Sequence, residues 1–423
     1  MSPVGEDRRR RPVAFFCMAE RGHFQRLRPL IHGVAQAGMV AHVFTAADFR
    51  SDVERAGGVF HDLFGGGSLA AADDVSFPVP CRFVTFAATA APPLIGAVAA
   101  LDVALVIHDG FALIGRVVAE ALRLPRVNVY AGHGILPALT IPWLERQPKV
   151  APAPVCLAAV VTLRDRYGIA DASPFAYVGA PSRDLNIACE PPEFFTAEER
   201  DALAPVAFFG SLPGTERPRS DASRAPAASP HAPAFPGAKR VRLYASFGTV
   251  VWRWYPDEVQ SALLAIARAV QARGDTTLLI SLAGVRVDPA FRNALQGEDV
   301  RVVDFVDQRH VLGEAHGFVS HCGLNSVHEA IWHRVPILAY PFLWDQPALA
   351  DICVRAGVAI PIGSKPLAPL AIADVDATLD RLEENTQQLR TALERARVWE
   401  EAVIAQRPDV IRAIAAFASG SAG

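Results

Sequence analysis

His321, Cys322, Gly323, Leu324, Asn325 and Ser326, with Glu329 three positions further on, form the stretch of this chain best suited to chemistry. Residues 317–320 read as a short buried strand, and residues 327–333 as a helix. A strand that feeds a helix start through His, Gly, Asn and Ser is a place to hold phosphate. The first backbone N–H groups of a helix lack internal partners, and the macrodipole puts roughly half a positive charge there. Asn325 and Glu329 are four apart and share one helix face. The helix start can therefore take a diphosphate while Glu329 accepts hydrogen bonds from a ribose. A plain strand-to-helix turn capped by Asn325 or Ser326 would use the same residues.

The elements that must position this stretch alternate. Residues 13–18 form an apolar strand. Residues 24–37 have helical periodicity, with Leu27, Leu30, Ile31 and Val34 on one side, and Gly38 ends them. Strands follow at 41–45, 103–107 and 127–130, with a helix at 112–122. Repeated βα units imply a parallel sheet covered by helices. Residues 60–101 and 132–167 have no clean period and are rich in Ala, Pro and aromatics. They read as insertions lining a ligand crevice. Residues 213–239 hold six prolines among Ala, Ser and Arg, which suits a flexible linker and not a core. The alternation then restarts, with strands at 240–246, 277–282, 300–305, 317–320, 337–340 and 358–360 and helices at 256–273, 308–314 and 347–356. This is a second doubly wound sheet. The last helical run, 375–417, contains Pro408.

Bulk composition agrees. A chain of 423 residues, 51% hydrophobic, is too long for one core and suggests two domains. A net charge of -3 provides no global field for nucleic acid. Six scattered cysteines without a CxxC pair form neither a disulfide framework nor a zinc site, so a reducing cytoplasm fits best. Arg8 to Arg11 precede an apolar run too short for a signal-peptide core. They read as a solvated tail, with peripheral contact to anionic lipid the weaker alternative. No stretch stands out as the ~18–20 apolar residues of a membrane span.

From Phe305, Val306, Asp307 and Gln308 through His321 to Asp345 and Gln346, the chain resembles the donor-binding signature of family 1 glycosyltransferases of the GT-B fold. The resemblance implies an α/β architecture: two doubly wound, Rossmann-like parallel-sheet domains facing across a cleft. Residues 1–210 would bind acceptor, 211–239 would be the linker, and 240–423 would bind a nucleotide sugar, with the last helix packing back on the N-terminal domain. Phe305 stands where plant relatives stack a Trp on uracil, and Gln308 where the family touches base or ribose. His321 aligns with the histidine that meets the diphosphate, with Gly323, Asn325 and Ser326 beside it and Glu329 on the ribose. Ser246, Gly248 and Thr249 resemble the family's second phosphate-side loop. Asp345 and Gln346 match the pair that binds sugar hydroxyls, where a final Gln goes with glucose. Leu324 departs from the plant Trp, which leaves the hexose open. The single glycine, in place of His-Gly-Gly, favours UDP over TDP sugars.

Gly22-His23, with Pro29 later than the family pattern, resembles the segment that carries the general base, and Asp109 matches the acid that orients it. An acceptor hydroxyl is a poor nucleophile until its proton is removed, and histidine titrates in the right range. The implied reaction is an inverting transfer of a hexose, with glucose favoured, from a UDP sugar to a hydrophobic small molecule or lipid. Phe24 and His133 are candidate acceptor contacts, although a surface-loop histidine is the simpler reading of His133. His108 is a weaker candidate base. No acidic cluster stands near these motifs, so neither a metal nor a cofactor beyond the co-substrate is expected. Asp73 and Asp74 adjoin only in a Gly/Ala-rich loop. A non-catalytic protein of the same fold, or a nucleotide-sugar epimerase, is the alternative. The presence of both His23 and Asp109 argues against the first.

Overall fold

The computed structural model describes residues 11–67, 69, 81–130, 132–133, 137–146, 151–176, 181–212, 235–237, 239–363 and 367–419. Most of the Pro-rich linker, the Asp73-Asp74 pair and Arg8 to Arg10 lie outside these residues. The chain divides into two units, Met1–Gly214 together with Ala402–Gly423, and Thr215–Glu401.

The first unit is built on a seven-stranded sheet of β1 (Val13–Phe16), β2 (Ala41–Thr45), β3 (Val59–Asp62), β4 (Leu105–Asp109), β5 (Arg126–Tyr130), β6 (Leu185–Ala188) and β7 (Val206–Phe208), in the order β3-β2-β1-β4-β5-β6-β7. Every pairing is parallel. The second unit has β8 (Val241–Ser246), β9 (Thr276–Ser281), β10 (Val300–Val303), β11 (Gly317–Ser320), β12 (Ile337–Ala339) and β13 (Ala359–Pro361), in the order β10-β9-β8-β11-β12-β13, again all parallel. The near-continuous Val, Ile, Leu and Phe runs of the central strands follow from burial on both faces by crossover helices. Both sheets are doubly wound, as the alternation predicts.

Three local expectations need correction. First, the helix after β1 spans Arg21–Gln36 and starts three residues earlier than its apolar period, because His23 and Phe24 N–H groups already donate to the Glu20 carbonyl. Second, the aperiodic segments 60–101 and 132–167 contain regular helices, Arg82–Ala100, Pro137–Glu145 and Pro154–Tyr167. Alanine contributes little to a hydrophobic stripe, and Pro92 and Pro93 read as breakers, so the first of these was hidden. Third, Arg82–Ala100 is long and apolar enough, by length and composition, to cross a membrane. It packs against the helices Leu113–Leu122 and Pro154–Tyr167, and about a third of it is buried.

The last helix, Arg407–Ala418, belongs to the first unit. It lies so close to Arg21–Gln36 that a Cβ on Gly33 would come within 2.7 Å of Ile411 Cδ1. Arg407 anchors its start, with Nε donating to the Phe209 carbonyl at 2.7 Å.

Candidate functional site

In doubly wound sheets, ligands sit beyond the carboxyl ends of the strands where the strand order reverses. In the first unit that point falls between β1 and β4. His23 stands on the first turn of the helix after β1, and Asp109 is the last residue of β4. His23 Nδ1 lies 3.0 Å from Asp109 Oδ1. Asp109 is fully buried. Its Oδ1 also accepts from Phe111 N at 2.8 Å, and Oδ2 from Met18 N at 3.2 Å. Burial alone would raise its pKa. The His23 imidazole and the two backbone donors outweigh that and hold it below the ordinary aspartate value. An ionised Asp109 that accepts from Nδ1–H sets the tautomer of His23 and leaves Nε2 as the nitrogen able to take a proton.

The neighbouring His108 faces elsewhere. Its Nδ1 donates to the Asp109 carbonyl at 2.9 Å, and Arg126 Nη1 donates to its Nε2 at 3.3 Å. Burial, with Arg126 beside it, depresses its pKa to about 3. It braces the strand end as a neutral ring. A Cβ on Gly115 would meet its Cβ at 2.5 Å, so glycine is what lets the helix Leu113–Leu122 approach.

Around His23 the first unit is aromatic. The Phe111 ring lies 4.2 Å from the His23 ring, and Phe83 lies 5.1 Å from Phe111. Arg82 reaches Glu20 at 2.9 Å and ties the helix Arg82–Ala100 to the start of the His23 helix. Arg82 and Phe83 were hidden from sequence reading, because 60–101 offered no period to place them. The two residues proposed for acceptor contact fare differently. Phe24 is completely buried and stacks on Phe49 at 4.6 Å, so it belongs to the core. His133 is neither a surface histidine nor open to a ligand. It is buried, with Nδ1 3.0 Å from Glu190 Oε1.

In the second unit the order reverses between β8 and β11. Ser246 ends β8, and His321 follows β11. Gly248 has φ +66, and a Cβ there would lie 3.0 Å from His321 Nε2; on Gly323 it would lie 2.4 Å away. Two glycines thus make room for the imidazole edge. Burial pushes the His321 pKa down to about 4. Near neutral pH it offers a hydrogen bond and no charge. Cys322, at φ +59, turns the chain into the helix Leu324–His333, whose N-cap is Gly323 with no capping side chain. The first N–H groups of this helix therefore keep their affinity for an anion. Leu324 contributes this backbone while its side chain packs into the core.

Gln308 joins Ser326 and Glu329. Its Nε2 donates to Glu329 Oε2 at 2.8 Å and to Ser326 Oγ at 3.3 Å, and Tyr244 OH donates to its Oε1. Burial raises the Glu329 pKa, opposed by the Gln308 amide. Phe305 is 55% exposed, with Val306 half-buried next to it in the chain. Asn325 is half-buried and Thr249 exposed. Trp344, at φ +56, precedes Asp345 at the start of the helix Gln346–Ala356. Cys322 and Trp344, both left-handed non-glycine residues, thus stand just ahead of the helices Leu324–His333 and Gln346–Ala356. Gln346 corrects the sequence reading in part. It is buried, and its Oε1 accepts from Phe342 N at 3.0 Å and Leu343 N at 3.2 Å, which leaves only its amide nitrogen for a sugar. Among the described residues no group of three His, Cys, Asp or Glu could hold a metal ion.

A family model described as UDP-glucoronosyl and UDP-glucosyl transferase matches residues 235–387. The zeaxanthin glucosyltransferase of Pantoea ananas is 29% identical over 271 residues, 60% of this chain. The matched region spans 59% of the length of that curated relative. An Arabidopsis thaliana UDP-glycosyltransferase is 42% identical over 66 residues, 15% of this chain and 14% of its own. Among solved structures, the kitacinnamycin glycosyltransferase covers 95% of this chain and 99% of its own at 20% identity, TM-score 0.72. A Medicago truncatula enzyme complexed with UDP-glucose covers 97% and 99% at 14% identity, TM-score 0.71. The GT-B fold is shared across the whole chain.

Proposed function

We propose that this chain, a family 1 glycosyltransferase of the GT-B fold, transfers a hexose, with glucose favoured, from a UDP sugar to a hydroxyl of an apolar small molecule, with inversion. The observation that carries the reading is the His23–Asp109 dyad, at 3.0 Å, at the reversal point of the first sheet. Each unit supplies one half of the chemistry. The acceptor oxygen attacks the anomeric carbon while His23 Nε2 takes its proton, and Asp109 stabilises the imidazolium that forms. The bond between the anomeric carbon and the diphosphate oxygen breaks in the same step, and UDP leaves with the electron pair. Its charge is met by the N–H groups at the start of Leu324–His333 and by a hydrogen bond from His321. Glu329 and Gln308 would hold the ribose, Phe305 would stack on the base, and Asp345 with the Gln346 amide would meet the sugar hydroxyls.

The UDP-transferase family match at residues 235–387 supports UDP as the leaving group. The glucosyltransferase relative and the Gln346 position support glucose. The aromatic neighbours of His23, Phe111 and behind it Phe83, support a flat apolar acceptor. No metal is required by this scheme, and transfer is expected to persist in excess EDTA. The direct test incubates the protein with UDP-glucose, UDP-GlcNAc or TDP-glucose and a panel of phenols and lipids, read by mass. A glucosylated product from UDP-glucose is expected. Binding of UDP without transfer to any acceptor, equally in wild type and His23→Ala, would speak for a non-catalytic role.

A further inference from the structure

The helix Leu324–His333 has two working faces. Ser326 and Glu329, at i and i+3, face Gln308. His328 and Trp332, at i and i+4, face the helix Thr386–Ala405. The two helices are joined by contacts that run antiparallel along them. His328 Nδ1 meets Glu400 Oε1 at 2.5 Å, the Arg397 guanidinium lies 4.0 Å over the Trp332 ring and donates to its carbonyl, and Arg334 meets Glu394 at 2.6 Å. The Arg334–Glu394 pair is largely exposed, so it can slide and be screened by salt. The His328–Glu400 pair has both side chains fully buried. A buried pair has no water to substitute for its partner, so it holds a strict geometry. His328 directly precedes Glu329 and is two residues from Ser326. Successive residues on a helix are about 100° apart, so any roll of the helix that loosens His328 also displaces Glu329.

We infer that His328 and Glu400 form a positioning pair for the donor site, locking the roll of the helix that carries Ser326 and Glu329. Neither residue touches the donor in this scheme. Their effect passes through Glu329 and the helix start, and the inference rests on the donor reading given above.

The test is UDP titration calorimetry on the full-length chain, with thermal unfolding of each variant run alongside. His328→Leu/Glu400→Leu removes both polar partners together and strands neither. Its UDP Kd should rise about tenfold, and donor KM should rise more than acceptor KM, while the protein stays folded. Glu400→Gln keeps an acceptor opposite Nδ1 and should bind UDP within about twofold of wild type. If the leucine pair does not fold, His328→Gln/Glu400→Gln takes its place, with the same rise expected. A folded double variant that binds UDP like wild type would reduce the pair to a packing contact and overturn the inference alone. Failure of the wild type to bind UDP would overturn the donor reading and this inference with it.

Discussion

At the scale of single residues, chemistry depends on which nitrogen of which histidine is free to act. His23 and His108 each stand near a strand end, and along the chain only His108 adjoins Asp109. Three-dimensional partners separate them. His23 Nδ1 is held by Asp109, whereas both ring nitrogens of His108 are engaged, one by the Asp109 carbonyl and one by Arg126. His23→Ala should lower transfer by ~10²–10⁴, the usual worth of a general base, with UDP binding by calorimetry unchanged. Asp109→Asn should retain UDP binding but lose a comparable factor, because an amide neither fixes the tautomer nor stabilises imidazolium. His108 makes a pH prediction. Its folded pKa is about 3, depressed from 6.5, so the folded state keeps the ring neutral while the unfolded chain protonates. Stability is therefore whole above pH 6.5 and falls as pH drops toward 3, by on the order of 1–4 kcal/mol. His321, depressed to about 4, acts in the same direction. Urea midpoints measured from pH 7 to 4.5 should fall less steeply in His108→Gln than in wild type.

At the scale of elements, close backbone approach sets what the sites can be. Gly115 lets a helix lie on His108 and Phe16. Gly115→Ala would place a Cβ 2.5 Å from one Cβ and 3.0 Å from the other, neither of them a flexible side-chain end. A loss of roughly 1–3 kcal/mol in urea unfolding is expected. Gly33 is a useful contrast, since its neighbour is the flexible tip of Ile411 and can give way. Most strands were legible as apolar runs between helical periods; the strands 41–45 and 317–320 and the helix 256–273 fall on their observed bounds. What escaped was Arg82–Ala100, whose alanines and paired prolines erase the period while packing still sustains the helix. Its loss hid Phe83, whose ring packs on the Phe111 ring beside His23.

At the scale of the whole molecule, sequence order and compact unit part company at the C-terminus. Residues 402–423 follow the second unit in the chain but belong to the first. A chain ending at Glu401 would uncover Val410, Ile411 and Ile414 contacts on the first unit. It should bind a hydrophobic dye more strongly and unfold at lower temperature, while its second unit still binds UDP. The sequence by itself determined the alternation of strands and helices and the phosphate-suited helix start at residue 323, because both are local: periodicity, capping and spacing are read within one or two turns. The tertiary structure decided which distant groups meet. It pairs residue 23 with residue 109, buries Phe24 and His133, turns the Gln346 carbonyl into its own loop, and pins His328 with a carboxylate 72 positions away. The reason is physical. Burial and long-range hydrogen bonding depend on how strands are ordered in a sheet, and that order is fixed by packing between segments far apart in the chain.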